Sequence, residues 1–407
     1  MSQQQQPEHE AAQAGATPSM STPSLSEHEA AKAREEALER PPHGGEALTG
    51  ARGRVEEATR QLSERMTREE QERRRALALA RTAPLISPPA TPARRLSEPA
   101  PIRSMLVALD GTPFAARAVP YAAALGRLAG SAITVGVCAR QAGGAEQPAG
   151  ASEEITAAGA ALSGSERVVR EMLLDARDRL THEGLTAQAR MVYASDVTEG
   201  LLALGQQVDA DALALATHAR TGVGRAVLGS VADEVVRRGR GLTLVVPPLA
   251  PDAGPDGVAF GRALIPLDGS TLSEQALGVV LPMLQRDPAG GDDSRWLRSL
   301  TLLFVAEDQA QVRDGEVYLH DLRDALLRGA TAPTEIVAQV LLGSAPGVIV
   351  ARAKGEHPAP PTRDERHDLI IMATHGRGGA GRWFYGSVAT YVLAHSDMPV
   401  LLVRTTP

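Results

Sequence analysis

From about residue 103 to the C-terminus, short apolar runs alternate with longer stretches of helical periodicity. The apolar runs have the length and the β-branched content of buried strands. The same order of elements occurs twice. In the first copy, strands are predicted at 104–109, 132–138, 189–194, 212–216 and 242–246, and helices at 112–128, 164–183, 196–207 and 230–238. In the second, strands are predicted at 263–267, 299–305, 334–342, 369–373 and 400–403, and helices at 271–285, 314–329, 345–354 and 387–395.

Buried strands separated by helices predict parallel sheets that are covered by helices on both faces. The predicted fold class is therefore α/β, with two tandem Rossmann-like domains that each contain five strands. We expect domain 1 over 101–248, a Pro- and Gly-rich linker over 249–258, and domain 2 over 259–407. Such sheets bind ligands at the carboxyl ends of their strands, where the strand order reverses.

Residues 1–100 have a different composition, rich in Gln, Glu, Arg, Pro and Ala and without a sustained apolar face. This composition predicts disorder, because it cannot bury enough apolar surface to form a core. A helix over 52–80 is the one element indicated, and its apolar stripe is thin. A solvated, transient helix is therefore favoured over a partner-binding one. The stripe consists of Val55, Leu62, Met66 and Leu77.

The overall composition narrows the classes of function. The formal net charge is −7, so the chain lacks the basic character of a nucleic-acid-binding protein. The single cysteine, Cys138, argues against a disulfide framework and a cysteine-based zinc site, and fits a reducing compartment. No apolar run approaches the ~20 residues that cross a bilayer. The N-terminus also lacks the features of a signal peptide. These observations predict a soluble cytoplasmic protein with no nucleic-acid partner and no membrane span.

Two sequence signatures are duplicated at almost the same offset. ATHARTGVGRAVLGS begins at Ala216, and ATHGRGGAGRWFYGS begins 157 residues later, at Ala373. LVALDGT contains Asp110, and LIPLDGS contains Asp268, 158 residues later. Two landmarks repeated about one domain apart indicate two copies of one domain.

The loop of the second signature has the composition of a phosphate cradle. Its glycines permit positive φ angles and let backbone N–H groups approach an anion. Gly386 and Ser387 then begin a helix, whose first N–H groups and dipole favour a negative charge. Arg377 and Arg382 add positive charge at the rim. The alternative is a glycine-rich connection with a serine cap, and the duplication favours a ligand loop. The loop glycines are Gly376, Gly378, Gly379 and Gly381.

Two better-known nucleotide motifs do not fit. The segment 376–381 matches GxGxxG, but it follows the fourth strand rather than the first, and no acidic residue carried by a strand follows about 20 residues on to hold a ribose. A nicotinamide-type site is therefore not expected. GxxxxGK[ST] does not occur, which excludes a P-loop NTPase.

Asp110 and Asp268 each follow the first strand of their copy. A carboxylate there can accept hydrogen bonds from an adenine amino group or a ribose hydroxyl. It can equally form an Asp-Gly turn that caps the next helix. Duplication does not separate these alternatives, because both copies would keep a structural turn.

These residues resemble the universal stress protein family, whose nucleotide-binding members carry Gly-x2-Gly-x9-Gly-Ser/Thr after strand four and Pro-x-Asp at the end of strand one. The resemblance covers about 103–407. It implies a HUP-type fold, a bound ATP or related adenine nucleotide with or without Mg²⁺, and pairing of domains through their fifth strands. It also implies a regulator without catalytic residues or a protein metal site. In domain 2, the implied nucleotide-binding residues are Pro266, Leu267, Asp268, Val305, Ala373, Gly376, Arg377, Gly386, Ser387 and Val388.

Domain 1 departs further from the family pattern. Ala219 stands where the second family glycine belongs, and Ala108 replaces the strand-one proline. If position 219 needs a positive φ, alanine costs on the order of 1 kcal/mol there, and its methyl group would obstruct a phosphate. We therefore expect a weaker site in domain 1. Its implied residues are Asp110, Val137, Ala216, Gly229, Ser230 and Val231.

The remaining chemically distinctive residues are interpreted as structural. His218 and His375 occupy equivalent loop positions, and we interpret them as rim residues rather than bases. The aromatic cluster Trp383–Tyr385 is interpreted as packing, because only one copy has it. Cys138 is predicted to be a small buried residue.

The leading functional hypothesis is an ATP-binding sensor or regulator of a stress response. The alternatives are a weak ATPase or phosphotransferase and a nucleotide-free scaffold. Pairing of domains within the chain is expected, and a homodimer is left open. The stress, the partner and the role of 1–100 do not follow from the sequence.

Overall fold

The computed structural model describes residues 98, 100–140, 152–155, 164–217, 229–239, 241–254, 257–286, 297–356, 366–374 and 386–404. The predictions for the first hundred residues lie almost wholly outside this range. Domain 1 contains β1 (Ser104–Leu109), α1 (Pro113–Ala116), α2 (Ala118–Ala129), β2 (Ala132–Arg140), β3 (Ser152–Glu154), α3 (Gly164–His182), β4 (Ala187–Ala194), α4 (Val197–Gln207), β5 (Ala212–Ala216), α5 (Ser230–Arg238) and β6 (Leu242–Val246). Domain 2 contains β7 (Arg262–Leu267), α6 (Thr271–Leu284), β8 (Ser299–Ala306), α7 (Gln309–Gly329), β9 (Glu335–Leu342), α8 (Ala345–Lys354), β10 (Leu369–Ala373), α9 (Ser387–His395) and β11 (Val400–Val403).

The described strands form one sheet of eleven, in the order β3-β4-β2-β1-β5-β6-β11-β10-β7-β8-β9. Neighbouring strands are parallel within each domain, except that β3 runs antiparallel to β4. The predicted α/β class is confirmed. β3 was not predicted, because its sequence, Ser-Glu-Glu, lacks an apolar pattern.

The helices cover both faces of the sheet. Apolar residues of α2, α3, α6 and α7 form one core with one face of the strands, including Leu125, Leu173 and Leu277. Those of α4, α5, α8 and α9 form a second core on the other face, including Leu204, Val235 and Val392. Strand residues such as Val107 and Ile371 are fully buried between them, which explains their nearly continuous apolar sequences.

Local sequence signals determine most helix starts. Thr112 caps α1 by accepting a hydrogen bond from the N–H of Ala115, and Pro113 follows it at the first helical position. α7 begins five residues before its predicted start, because Asp308 caps it by accepting from the N–H groups of Ala310 and Gln311. The stretch after Asp308 is polar on most positions, so its apolar periodicity starts later than the helix itself.

The two domains meet through their last strands. β6 and β11 are antiparallel, with Leu244 opposite Leu401 and Thr243 opposite Leu402. Apart from β3, the strands of each domain run parallel to the last strand of that domain. The carboxyl ends of the domain 1 strands and those of the domain 2 strands therefore lie at opposite edges of the common sheet. The carboxyl edge of domain 2 is therefore next to the amino edge of domain 1.

The segment between the domains is held by side chains of domain 1. Arg117 donates from Nη1 to the carbonyl oxygen of Pro248 at 2.8 Å and forms a salt bridge with Asp252 at 3.1 Å. The hydroxyl of Tyr121 donates to the carbonyl oxygen of Pro251. These contacts fix the course of the chain from β6 towards β7. No described helix has both the length and the apolar character that spanning a membrane requires.

Candidate functional site

Each domain has a topological switch point at its carboxyl edge. In domain 2 the chain moves from β7 outward to β8 and β9, and β10 then pairs with the other side of β7. β7 and β10 are parallel, with Leu369 opposite Ala263, so the same register places Ala373 level with Leu267. The two duplicated signatures therefore end on neighbouring strands, at the crevice where ligands of such sheets bind. In domain 1, β1 and β5 form the equivalent pair.

The acidic residue after the first strand forms a turn in both domains. Asp268 accepts through Oδ1 from the N–H of Ser270 at 3.0 Å and from its hydroxyl at 2.6 Å. Asp110 accepts through Oδ1 from the N–H and hydroxyl of Thr112 at 2.9 and 2.6 Å. Ser270 and Thr112 in turn cap the next helices. The structural alternative for these carboxylates is thus realised, and a ligand contact would be an additional role.

Asp268 and Asp110 differ in their surroundings. Asp268 is half-buried, whereas Asp110 is exposed. The following glycines, Gly269 and Gly111, have φ angles of 80° and 86°. This left-handed conformation explains the Asp-Gly pair in both copies, since other residues adopt it at a cost.

A helix begins on the Gly-Ser pair of each signature. Gly386 is the N-cap of α9 and Gly229 is the N-cap of α5, and neither cap has a side chain to bond the first N–H groups. Their φ angles are −60° and −55°, which any residue adopts. Glycine is therefore not required here by backbone conformation. A Cβ atom at Gly229 would have no described atom within 4 Å. Among the described residues, no side chain caps the first N–H groups of either helix, as anion binding there requires.

Backbone hydrogen bonds connect this helix start to the end of the sheet. In domain 2, the N–H of Gly386 donates to the carbonyl oxygen of Thr374 at 2.7 Å, and the N–H of Thr374 donates to that of Val403 at 2.9 Å. In domain 1, the N–H of Thr217 donates to the carbonyl oxygen of Val246 at 2.9 Å. Both threonines are buried. The last two strands and the helix start of domain 2 thus form one bonded unit.

The predicted valines of the second strands do not occupy equivalent positions. Val137 lies opposite Leu109, and the residue opposite Leu267 is Phe304. The counterpart of Val137 is therefore Phe304, and that of Val305 is Cys138. Because side chains alternate along a strand, Val137 and Val305 contribute to opposite faces of the sheet.

The structure places several other predicted residues at the crevice. Pro266 and Leu267 end β7, and Ala373 ends β10. Ser387 and Val388 begin α9, as Ser230 and Val231 begin α5, and Ala216 ends β5. The loop between β10 and α9 and its counterpart between β5 and α5 lie outside the described residues. The predicted residues in these loops are Gly376, Arg377, Gly378, Gly379, Gly381, Arg382, Trp383, Phe384, Tyr385, His375, His218 and Ala219.

Cys138 is half-buried rather than fully buried. A Cβ atom at Gly200 would come within 2.4 Å of its Sγ atom, so the thiol packs closely on α4. Burial raises the pKa of the Cys138 thiol, which favours its protonated form.

The structure adds roles for Asp211 and Asp368, which recur before the fourth predicted strand of each copy, and for Arg404. Asp211 and Asp368, which precede β5 and β10, accept hydrogen bonds from the backbone at the starts of β1 and β7. Their repetition in both copies was a visible signal. Arg404, directly after β11, donates to α5 of the other domain. No sequence pattern indicates that contact.

The remaining candidate features lie away from the switch points. A cavity of about 750 Å³ opens at the amino edge of domain 1, lined by residues that include Glu199, Asp211 and Arg238. In the part of the chain that the structure describes, no group of three or more His, Cys, Asp or Glu side chains is placed to hold a metal ion.

Fold and site together define a class of protein: a tandem pair of doubly wound α/β domains, each with a bare helix N-terminus at its switch point. The model of the universal stress protein family matches residues 101–247 and 259–404, which is most of the chain. The chain belongs to the universal stress protein family.

Solved structures give the same fold. A protein of Pseudomonas aeruginosa UCBPP-PA14 described as a universal stress protein is 16% identical, covers 75% of this chain and 94% of its own, and has a TM-score of 0.50. A universal stress protein of Archaeoglobus fulgidus is 16% identical, with coverages of 74% and 98% and a TM-score of 0.50. A universal stress protein in complex with cAMP is 20% identical, with coverages of 36% and 98% and a TM-score of 0.28. No curated protein sequence matched the chain.

Proposed function

We propose that this protein binds ATP or a related adenine nucleotide, mainly in domain 2, and acts as a sensor or regulator in a stress response. The observation that carries the proposal is the meeting of two signatures at one switch point. Asp268 follows β7, and the glycine-rich loop runs from the neighbouring β10 to the open helix start at Gly386. Members of this family with the same spacing of glycines bind nucleotides there.

The residues of the proposed site form two groups, one for the adenosine and one for the phosphates. Pro266, Leu267, Asp268 and Val305 would face the adenosine, where apolar contacts suit the base and a carboxylate suits a hydroxyl or amino group. Gly376, Gly386, Ser387 and Val388 would bind the phosphates through backbone N–H groups and the serine hydroxyl. Ala373 takes the place of the first family glycine, and Arg377 would add charge. A bound Mg²⁺ would neutralise part of the phosphate charge.

Domain 1 is proposed to hold a weaker site. Its helix start at Gly229 and Ser230 is open in the same way as that of domain 2. Ala216 and Ala219 replace two family glycines, however, and their methyl groups would stand where the backbone of a glycine would approach a phosphate. Its remaining proposed contacts are Asp110, Val137 and Val231. A domain without nucleotide would act as an interaction scaffold, which is the alternative for this half.

We propose a binding role rather than a catalytic one, because the groups at the switch point are suited to holding an anion. In the described part of the site, the backbone amides, a hydroxyl and a turn-forming carboxylate supply no nucleophile and no base that is held by a second group. The proposed boundaries are domain 1 over 101–248, the linker over 249–258 and domain 2 over 259–407. The pairing of β6 with β11, which we call the joint, links the two domains within the chain. A ligand bound in one domain would therefore affect this joint. The proposed location is the cytoplasm.

The first test is to identify what the purified full-length protein carries. The protein is denatured, the released small molecules are separated, and adenine nucleotides are quantified by mass spectrometry. We expect ATP or another adenine nucleotide at up to one equivalent per chain. Titration calorimetry of the stripped protein with ATP, ADP, AMP and cAMP then ranks these ligands. A stripped, folded protein that binds none of them at millimolar concentration would refute the proposal.

A further inference from the structure

Arg404 is the first residue after the last strand, and its side chain crosses from domain 2 to domain 1. Its Nη1 atom donates to the carbonyl oxygen of Arg237 at 2.9 Å and to that of Gly239. These carbonyls belong to the last turn and C-cap of α5. A cation at this position is favourable, because the unsatisfied carbonyls of a helix C-terminus carry partial negative charge.

The antiparallel pairing of β6 with β11 places this contact at the same edge of the sheet as the proposed phosphate site. The carboxyl edge of domain 2 adjoins the amino edge of domain 1, because β6 and β11 run in opposite directions. α5 and α9 pack on the same face of the sheet. The end of α5 therefore lies on the same edge and the same face as the start of α9, where Gly386 is the cap.

A short series of hydrogen bonds connects the two helix ends. Arg404 bonds the end of α5, and the carbonyl oxygen of the preceding residue, Val403, accepts from Thr374 at 2.9 Å. The carbonyl oxygen of Thr374 accepts from Gly386 at 2.7 Å. The guanidinium is thus attached, through the end of β11, to the backbone unit that begins α9.

Among the described residues, carboxylates neutralise the charges of the neighbouring arginines but not the charge of Arg404. Arg237 pairs with Asp233 at 2.8 Å, and Arg238 pairs with Glu234 and Glu199 at 2.9 and 3.3 Å. Within the described ranges, the hydrogen bonds of Arg404 go only to carbonyl oxygens, so no carboxylate there neutralises it. Its side chain is also exposed.

The position of domain 1 that is equivalent to Arg404 carries no cation. The residue after β6, in the place of Arg404, is Pro247. The other end of the joint carries Asp397, which precedes β11 and pairs with Arg366 at 3.1 Å. The two proposed sites therefore differ in charge as well as in loop glycines, and both differences favour a polyanion in domain 2.

We propose that Arg404 is a phosphate-binding residue of the domain 2 site that also ties this site to domain 1. This inference rests on the proposed nucleotide binding. The guanidinium supplies a countercharge to the phosphates while Nη1 stays on the carbonyls of α5. Its planar fork holds five N–H donors in fixed directions, so it can serve both partners at once, whereas an ammonium group presents its donors from a single nitrogen. Nucleotide in domain 2 then strengthens the contact with α5, and by linkage an intact contact with α5 strengthens nucleotide binding.

Full-length wild type, Arg404→Gln, Arg404→Lys and Arg366→Gln are titrated with ATP by calorimetry. Adenosine is measured by its displacement of a fluorescent ATP analogue. We expect Arg404→Gln to weaken ATP about tenfold and to leave adenosine unchanged, because only ATP carries the charge that Arg404 meets. Arg404→Lys keeps the charge and is expected to recover part of the loss. Arg366→Gln, an arginine change at the opposite end of the joint, is expected to match wild type.

Hydrogen exchange tests the second half of the inference. Saturating ATP is expected to slow exchange in the peptide that covers the end of α5 in wild type and in Arg366→Gln, but not in Arg404→Gln. If Arg404→Gln binds ATP as wild type does, or weakens ATP and adenosine equally, the phosphate role is wrong. If ATP slows α5 exchange equally in Arg404→Gln, the tie to domain 1 is wrong. If wild type binds no nucleotide, the proposed function itself fails, and the inference falls with it.

Discussion

The carboxylate of Asp368 accepts a hydrogen bond through Oδ2 from the backbone N–H of Arg262 at 2.9 Å, and a second from Gly261 at 3.0 Å. It thereby joins the residue before β10 to the start of β7. Asp211 accepts equivalent bonds through Oδ2 from Arg103 and Ser104 at 2.7 and 3.1 Å. In both domains, this contact aligns the two strands that flank the switch point, at the edge opposite the proposed site.

Replacing Asp368 or Asp211 with alanine is expected to destabilise the corresponding domain by about 2 kcal/mol, since each change leaves two backbone donors without their charged acceptor. The midpoint of urea unfolding, followed by far-ultraviolet circular dichroism, measures the loss. Asp252→Ala is the control, because the Asp252 side chain is 89% exposed, and it should shift stability by no more than about 0.5 kcal/mol. Equal midpoints for Asp368→Ala and Asp252→Ala would contradict the assigned role.

Gly386→Val is expected to weaken ATP binding at least about tenfold while leaving the protein folded. A φ of −60° suits valine, so the loss would come from a side chain in the opening of the helix N-terminus rather than from backbone strain. Gly229→Val is the matched change in domain 1, and we expect it to affect the total ATP affinity little. Calorimetric titration of both variants with ATP measures the two losses of affinity. The ranking of the two domains fails if Gly229→Val causes the larger loss.

The pair Asp268→Ala and Asp110→Ala separates turn formation from ligand binding. Each loses the hydrogen bonds that shape the turn before a helix, and we expect each to cost about 1 kcal/mol in thermal or urea unfolding. ATP affinity should fall for Asp268→Ala and stay near wild type for Asp110→Ala. Unchanged ATP affinity in a folded Asp268→Ala variant would leave that carboxylate with the structural role alone.

His367 makes the stability of domain 2 depend on pH. The side chain is 3% exposed, and its Nε2 atom lies 3.0 Å from the hydroxyl oxygen of Thr301. The pKa of His367 is lowered from 6.5 to about 4, chiefly by burial and also by the nearby charges of Arg352 and Arg262, against the raising effect of the backbone carbonyls of Arg352 and Ala353. The imidazole is therefore neutral in the folded protein at neutral pH.

Because the pKa is lower in the folded state, the unfolded chain takes up a proton first as the pH falls. The stabilising contribution is complete above pH 6.5 and is lost between 6.5 and about 4, with a total on the order of 3 kcal/mol. Urea unfolding at about pH 7.5 and 5 should show a stability loss that is roughly 2 kcal/mol larger in wild type than in His367→Gln. Equal losses would show that this histidine does not carry the effect. Burial raises the pKa of Asp368, which acts in the opposite direction and is common to both proteins.

Regular patterns in the sequence were sufficient to predict most elements of the fold. Strands β5, β6, β10 and β11 have the predicted bounds, because short buried runs between turn residues leave little choice of register. The start of α7 was misplaced and β3 was missed. In both cases the determining interaction is a hydrogen bond to a polar residue or to a neighbouring strand, which leaves no apolar periodicity.

The candidate site, like the fold, has parts that the sequence predicted and parts that it did not. The duplicated signatures indicated its position, and the helix starts at Gly386 and Gly229 are where the sequence placed them. The base-facing residues were harder to align, because Val137 and Val305 differ by one position in register and thus by one face of the sheet. A single-residue slip is invisible in two apolar runs of similar composition, yet it reverses the direction of every side chain.

The sequence by itself determined the family, the class of fold, the order of the elements and the two switch-point signatures, since these depend on local periodicity and on residues close together in the chain. Only the tertiary structure decided the register in which the two sheets join, that Asp211 and Asp368 align the central strands, and that Arg404 reaches the end of α5. Each of these contacts joins residues more than a hundred positions apart. Their geometry arises from the antiparallel packing of two folded domains and leaves no trace in the spacing of residues along the chain.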